Sequence, residues 1–95
     1  MKLKIGTINI DVTSFNESER KVDDVWETRL SVELDEDGGW NVRELSQSID
    51  EQIKDNDIII EDGSKIDTFK GYELESIDRY VNNTYRRLSI NFEYK

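Results

Sequence analysis

The sequence predicts an α+β fold in which one amphipathic helix packs on one face of a single, mostly antiparallel or mixed sheet of four or five strands. Three patterns support this prediction. Apolar and polar residues alternate over residues 25–34 and again over 88–94, as in half-buried strands. Between them, residues 42–55 repeat apolar residues at the spacing of a helix. The predicted order of elements is strand, strand, helix, strand, strand, strand.

Length and composition limit the fold. The chain has 95 residues, too few to bury more than one core, so residues 1–95 are predicted to form a single domain. It contains no cysteine and no histidine, which excludes disulfides, thiolate zinc sites and the usual acid–base residue at neutral pH. The sequence shows no signal peptide and no long apolar segment, and a cytoplasmic protein is therefore expected.

The first third of the chain predicts two strands separated by a long loop. Residues 3–12 alternate, but the alternation shifts its phase by one near Gly6, which predicts one strand with a bulge or tight bend. Residues 14–24 are polar and charged and are expected to form an exposed loop. Residues 25–34 alternate without interruption and predict a half-buried strand.

The predicted helix has a clear start. Asn41 is a favourable N-cap, and Glu44 follows it at the spacing of a capping box. Trp40 is expected to pack on the first helical turn, and Trp26, which shares the apolar face of the preceding strand, is expected in the core. The residues of the apolar helical stripe are Val42, Leu45, Ile49 and Ile53.

The second half of the chain predicts a short buried strand and a C-terminal hairpin. Residues 58–60 are apolar and are followed by a turn at 62–63. Residues 72–81 fit two patterns. We favour a bulged strand that is joined to the last strand by a turn at 82–84, and a short helix is the alternative. A β-grasp-like arrangement, in which the first and last strands lie side by side, matches this order of elements.

The net charge of −9 is unevenly distributed along the chain. Residues 17–78 hold 20 acidic and 7 basic residues, a net charge of −13, whereas both terminal segments are net positive. This pattern predicts an acidic surface that attracts a basic partner and disfavours direct binding to nucleic acid or to an anionic membrane. The acidic residues expected to meet such a partner are Asp35, Glu36, Asp37, Glu44, Glu51 and Asp55.

The C-terminal hairpin is a second candidate surface. Arginine and tyrosine side chains gather around its turn, and these residue types combine a large contact area with directional hydrogen-bond donors. Cross-strand pairing inside the hairpin is a simpler interpretation that requires no partner. The residues concerned are Arg79, Tyr80, Tyr85, Arg86 and Arg87.

The sequence contains no pattern typical of catalysis or of cofactor binding. Residues 35–41 are partly like a calcium-binding loop, but Trp40 and Ser46 stand where an EF-hand loop needs Gly and Glu. The serines have no histidine to activate them, and the glycines form no phosphate-binding pattern. We therefore expect no enzymatic activity, no metal and no cofactor.

Two functional hypotheses are consistent with these features. The first is a non-catalytic protein-interaction or assembly module, which binds another protein or a second copy of itself. Frequent Ile, Asn and Lys with no Ala or Pro suggest an AT-rich genome, such as that of a bacteriophage or mobile element. The alternative is an acidic inhibitor that mimics nucleic acid and occupies the groove of a basic host protein, in an anti-restriction or anti-CRISPR-like role.

Overall fold

Two antiparallel sheets and one helix make up the described part of the chain. The computed structural model describes residues 1–35 and 41–95. Its elements are β1 (Lys2–Ile5), β2 (Ile8–Asp11), β3 (Ser14–Val22), β4 (Val25–Asp35), α1 (Val42–Ile53), β5 (Ile58–Asp62), β6 (Lys65–Phe69), β7 (Tyr72–Val81) and β8 (Arg86–Tyr94). The short sheet has the strand order β2-β1-β5-β6, and the long sheet has the order β3-β4-β8-β7.

The prediction of a single sheet with four or five strands is therefore wrong. The strand β3 replaces the loop expected at 14–24 and pairs along its whole length with β4, although nearly all its side chains are exposed. The strand β6 pairs with β5 and is also largely exposed. Side chains that face water on both sides of an edge strand leave no apolar alternation in the sequence. The β-grasp-like arrangement is wrong too, because β1 and β8 lie in different sheets.

Tight two-residue turns connect β1 to β2, β3 to β4 and β5 to β6. Residues 3–12 form the β1–β2 hairpin and not one bent strand, and Ile5 lies directly opposite Ile8. Opposed residues point to the same face of the sheet, which explains the phase shift in the sequence. Gly6 and Gly63 have a positive φ at the first central position of their turns, as in type II′ turns.

The β3–β4 turn holds two aspartates in the left-handed region, with φ of 49° at Asp23 and 65° at Asp24. This pattern is that of a type I′ turn, which favours Gly at its second central position. We expect Asp24→Gly to raise the free energy of unfolding by roughly 0.5–1 kcal/mol. The Cβ of an aspartate at a positive φ has a steric cost, and glycine has no Cβ. Urea denaturation measures the change. Ser64→Gly, at the second position of the β5–β6 turn where φ is not positive, is the control, and an equal gain there would contradict this explanation.

The helix α1 bridges the two sheets. As predicted, Asn41 caps its N-terminus, and its side-chain oxygen accepts a hydrogen bond from the backbone N–H of Glu44 at 3.1 Å. The helix ends at Ile53, two residues earlier than predicted. Leu45 and Ile49 are buried, and α1 contacts β7 of the long sheet as well as β1 and β2 of the short sheet. The expected packing on one face of one sheet is thus replaced by packing between two sheets.

The inner faces of the two sheets and the apolar side of α1 enclose one hydrophobic core. Its buried members are Leu3, Ile5, Ile10, Val12, Leu30, Val32, Leu34, Leu45, Ile49, Ile58, Ile60, Tyr72, Leu88, Ile90 and Phe92. Trp26 was expected in this core, but its side chain is 67% exposed. The prediction fails because β4 extends beyond the part of the long sheet that the short sheet covers, and Trp26 lies in this extension. Trp40 lies outside the described residues.

Residues 72–81 form a bulged strand, as favoured from the sequence, and the alternative of a short helix is wrong. The register between β7 and β8 shifts after Leu74, which places Glu75 at the bulge. The side chain of Asn82 accepts hydrogen bonds from two backbone N–H groups of the following turn. An Asn that satisfies the turn in this way closes the predicted C-terminal hairpin.

Candidate functional site

The long sheet extends beyond the short sheet, and its two ends are exposed. Its strands have 9 to 11 residues, whereas those of the short sheet have 4 or 5. Along one face of β4, Leu30 is buried and Trp26 is exposed. Most of the large apolar side chains that are exposed in the described residues lie at these ends: Val22, Val25, Trp26 and Tyr94 at one, and Tyr80, Val81 and Tyr85 at the other.

The first end, here called the Trp26 end, comprises residues 19–27 together with Tyr94. Residues 19–27 hold four acidic and two basic residues. The basic side chains form ion pairs within the end, Arg20 with Glu27 at 3.3 Å and Lys21 with Asp24 at 3.8 Å. Glu19 and Asp23 supply the excess of negative charge. The Trp26 end therefore combines an exposed indole with a net negative charge.

A row of aromatic rings supports the Trp26 end. The rings meet edge to face in the order Phe15, Phe69, Tyr72 and Tyr94, with centroid distances of 5.9, 6.1 and 5.6 Å. The buried Tyr72 donates a hydrogen bond from its hydroxyl to Glu17 at 2.6 Å. Burial and this hydrogen bond raise the pKa of Tyr72. The Tyr94 ring packs on Gly71, where an added Cβ would lie 3.0 Å from the ring and would displace it.

The opposite end, here called the Arg86 end, comprises residues 79–87. All five residues predicted for the Arg/Tyr surface lie on it, and this stretch holds three arginines and no acidic residue. Arg86 lies opposite Val81 in the β7–β8 register, and both side chains are exposed. None of the described residues forms an ion pair with Arg86. The Arg86 end thus presents tyrosine and valine side chains to solvent beside the exposed Arg86.

Arg87 contacts side chains of its own sheet, as the interpretation of cross-strand pairing predicts. It is partly buried and lies opposite Asp35 on one side and Tyr80 on the other. Its guanidinium carbon lies 5.0 Å from the centroid of the Tyr85 ring, and one of its terminal nitrogens lies 3.4 Å from Glu33. These contacts orient the exposed Tyr85 ring at the tip of the hairpin.

The six acidic residues predicted to meet a partner do not form one cluster. Asp35 ends β4 beside the Arg86 end. Three exposed residues lie on or just after α1, namely Glu44, Glu51 and Asp55. Two lie outside the described residues, namely Glu36 and Asp37.

Basic residues near the N-terminus are compensated by acidic neighbours. Lys2 forms an ion pair with Asp11 at 2.7 Å, and its hydrogen bond and charge lower the pKa of Asp11. Lys4 forms an ion pair with Glu61 at 3.0 Å. The positive N-terminal segment is therefore neutralised on the outer face of the short sheet.

The outer face of the long sheet carries a polar network that satisfies itself. Ser31 donates a hydrogen bond to the Asn91 side-chain oxygen at 2.8 Å, and the Asn91 amide donates to Asp78 at 3.0 Å. At the bulge, Arg29 donates two hydrogen bonds to the Glu75 carboxylate, which raise the pKa of Arg29. These polar groups at the centre of the face already have partners, so the two ends of the sheet are the stronger candidate surfaces.

Sequence reasoning missed Trp26 and Tyr94 as surface residues. Both continue the apolar alternation of a strand whose central residues are buried, and alternation alone does not show where the covering sheet stops. For Trp26 the available signal was its position next to a charged turn at residues 23–24.

These features define a mostly β protein with two packed antiparallel sheets and two exposed aromatic ends. No protein-family model, no curated protein and no solved structure matches the chain. Over residues 1–35 and 41–95, no group of three or more His, Cys, Asp or Glu side chains could hold a metal ion. Within the same residues, no helix is both long and apolar enough to cross a membrane.

Proposed function

We propose that the chain is a non-catalytic protein-interaction or assembly module that acts in the cytoplasm. The observation that supports this proposal is the clustering of exposed aromatic and aliphatic side chains at the two ends of the long sheet. Single exposed apolar residues are ordinary on protein surfaces, whereas a group of them framed by polar residues is typical of a binding site. Trp, Tyr and Arg are also the residue types that dominate binding energy in protein interfaces.

The alternative of a nucleic-acid mimic has less support from the geometry. A mimic needs free carboxylates that are spaced like phosphates along one surface. In this chain many carboxylates are instead paired with basic side chains of the same molecule, among them Asp11, Glu27, Glu33, Glu61 and Glu75. Internal pairing of this kind weakens and divides the negative surface.

We expect the double variant Trp26→Ser/Tyr80→Ser to reduce the capture of a partner protein by at least about tenfold, because an aromatic hot spot contributes 2 kcal/mol or more. The measurement is quantitative mass spectrometry of proteins that copurify with the affinity-tagged chain from host-cell lysate. The two single variants then show which end each partner uses.

Ile66→Ser is the matched control, because Ile66 is 62% exposed but lies on β6 of the short sheet, away from both ends. It should capture the same proteins as the wild type. Undiminished capture by the double variant would contradict the proposal. Release of the captured protein by added DNA would instead support the nucleic-acid mimic.

A further inference from the structure

We propose that a small cavity between β6 and the long sheet binds a quaternary ammonium group, the group carried by choline and by trimethylated lysine. The cavity has a volume of about 280 Å³. Each strand of the long sheet contributes one lining residue, and residues 68–70 at the end of β6 complete the lining. The four residues from the long sheet are Glu17 from β3, Thr28 from β4, Tyr72 from β7 and Tyr94 from β8. This inference goes beyond the proposed function, because it assigns a ligand site that small molecules alone can test.

Three aromatic rings line the cavity, those of Phe69, Tyr72 and Tyr94. Neighbouring rings are inclined at 85° and 75°, and their centroids are 6.1 and 5.6 Å apart. Rings that meet at such angles form a concave corner, so an ion in the cavity contacts more than one of them. The face of an aromatic ring attracts a cation that lies within about 6 Å of its centroid. The rings therefore favour a cation over a neutral group of the same shape.

The walls of the cavity are held in place by contacts within the chain. Tyr72 is buried, and its hydroxyl donates a hydrogen bond to the Glu17 carboxylate at 2.6 Å. The backbone of Gly71 packs so closely on the Tyr94 ring that an added Cβ would lie 3.0 Å from it. Walls that are already ordered reduce the entropy that a ligand must lose on binding.

The charge around the cavity is negative. Glu17 lines the cavity, and Glu19 is the next residue on the same face of β3. Neither forms an ion pair with a basic side chain of residues 1–35 or 41–95. Burial raises the pKa of Tyr72, and the charges of both glutamates raise it further, which places these charges near the Tyr72 ring. Lys70 also lines the cavity, but its ammonium lies 3.9 Å from Asp57, which is outside the lining.

The lining favours a quaternary ammonium over a primary ammonium or a guanidinium. The last two groups carry several N–H donors, and each donor that leaves water needs an acceptor in the protein. Three of the seven lining residues are aromatic, and the Tyr72 hydroxyl already occupies one oxygen of Glu17. A quaternary ammonium has no N–H donor, so ring faces and a nearby negative charge are sufficient to bind it.

Two-dimensional NMR of the isotope-labelled chain during titration with choline chloride tests the proposal, with sodium chloride at equal concentration as the salt control. Choline is expected to shift the backbone amide signals of the lining residues and to leave those of α1 unchanged. The matched ligand is the uncharged alcohol in which a carbon atom replaces the choline nitrogen. Its dissociation constant should be at least about fivefold higher, because it lacks the attraction to the rings and the carboxylates.

Two peptides distinguish the sources of the quaternary group. One is a short capped peptide with a single trimethyllysine, and the other has the same sequence with an unmethylated lysine. The trimethylated peptide should bind at least about fivefold more tightly than the unmethylated one. Tighter binding of this peptide than of choline identifies a protein side chain as the source, and the reverse order identifies a small molecule.

Glu17→Gln removes the charge of the lining but keeps an acceptor for the Tyr72 hydroxyl, and Tyr94→Leu replaces a ring that is 56% exposed. Each change should weaken choline binding by about threefold or more. Asp62→Asn and Tyr80→Leu are the matched controls. Asp62 lies at the turn of the β5–β6 hairpin and Tyr80 at the Arg86 end, both away from the cavity, so these variants should bind like the wild type.

Three results would overturn the proposal: no shift of the lining signals, equal binding of choline and its uncharged analogue, or equal binding of the two peptides. Undiminished choline binding by both Glu17→Gln and Tyr94→Leu would overturn it as well. Circular dichroism should show the same fold for all variants. Capture of a partner protein in the copurification experiment does not depend on choline binding, so failure of this site and failure of the interaction function are distinguishable.

Discussion

Phe92→Ala is expected to lower the free energy of unfolding by about 3–5 kcal/mol, which is the usual cost of removing a buried phenyl ring. Phe92 is fully buried in β8 and lies between Leu30 of β4 and Leu74 of β7. A domain of this length has a total stability of roughly 5–14 kcal/mol. The variant should therefore lose a large part of its stability. Urea unfolding at 25 °C, followed by far-UV circular dichroism, measures the difference from the wild type.

Tyr94→Ala is the matched control for this change. Tyr94 lies two residues further along the same face of β8, but it is 56% exposed. Its removal deletes the edge-to-face contact with Tyr72 and should cost about 1 kcal/mol. Equal losses for the two variants would contradict the conclusion that β8 changes from buried to exposed between these positions.

The elements at the centre of the fold are predictable because their two sides meet different surroundings. The strands β4 and β8 and the helix α1 each bury one side, so apolar residues recur at the period of the element. The start of α1 is also predictable, because the hydrogen bond between Asn41 and the backbone of Glu44 is local in sequence. The bulged strand β7 follows from its hairpin turn and from its partial alternation.

The edge strands could not be predicted in the same way. The strand β3 pairs with β4 through its backbone, and its side chains face water on both sides, so its sequence is like that of a loop. The turn at Gly6 was located correctly but assigned to a bend, because a two-residue hairpin and a bulge both shift the phase of alternation. These two errors turned a pair of sheets into one predicted sheet.

The two candidate ends differ in how far the sequence reveals them. The residues of the Arg86 end lie close together in sequence around one turn, so their residue types alone suggest a surface. The exposure of Trp26 depends instead on how far the short sheet extends over the long sheet, which is set by residues distant in sequence. Exposure that depends on tertiary contacts of this kind is not encoded in local periodicity.

Stability at alkaline pH should depend on Tyr72. Burial of Tyr72 and its hydrogen bond to Glu17 raise its pKa above the ordinary value of about 10. Near this pH the unfolded chain loses the phenolic proton, whereas the folded chain keeps it. Because the folded state then binds more protons, the free energy of unfolding falls as the pH rises above about 10, by up to about 1.4 kcal/mol per pH unit.

Tyr72→Phe is expected to remove this dependence. At pH 7 the variant lacks the hydrogen bond to Glu17 and should be less stable than the wild type by about 1.5 kcal/mol. Above about pH 10 the difference should shrink, because only the wild type loses stability through this group. Glu17→Gln keeps an acceptor but removes the charge, so its stability should fall less steeply than that of the wild type. Urea unfolding of the three proteins between about pH 7 and 11 measures these differences, and a constant difference across this range would contradict the raised pKa.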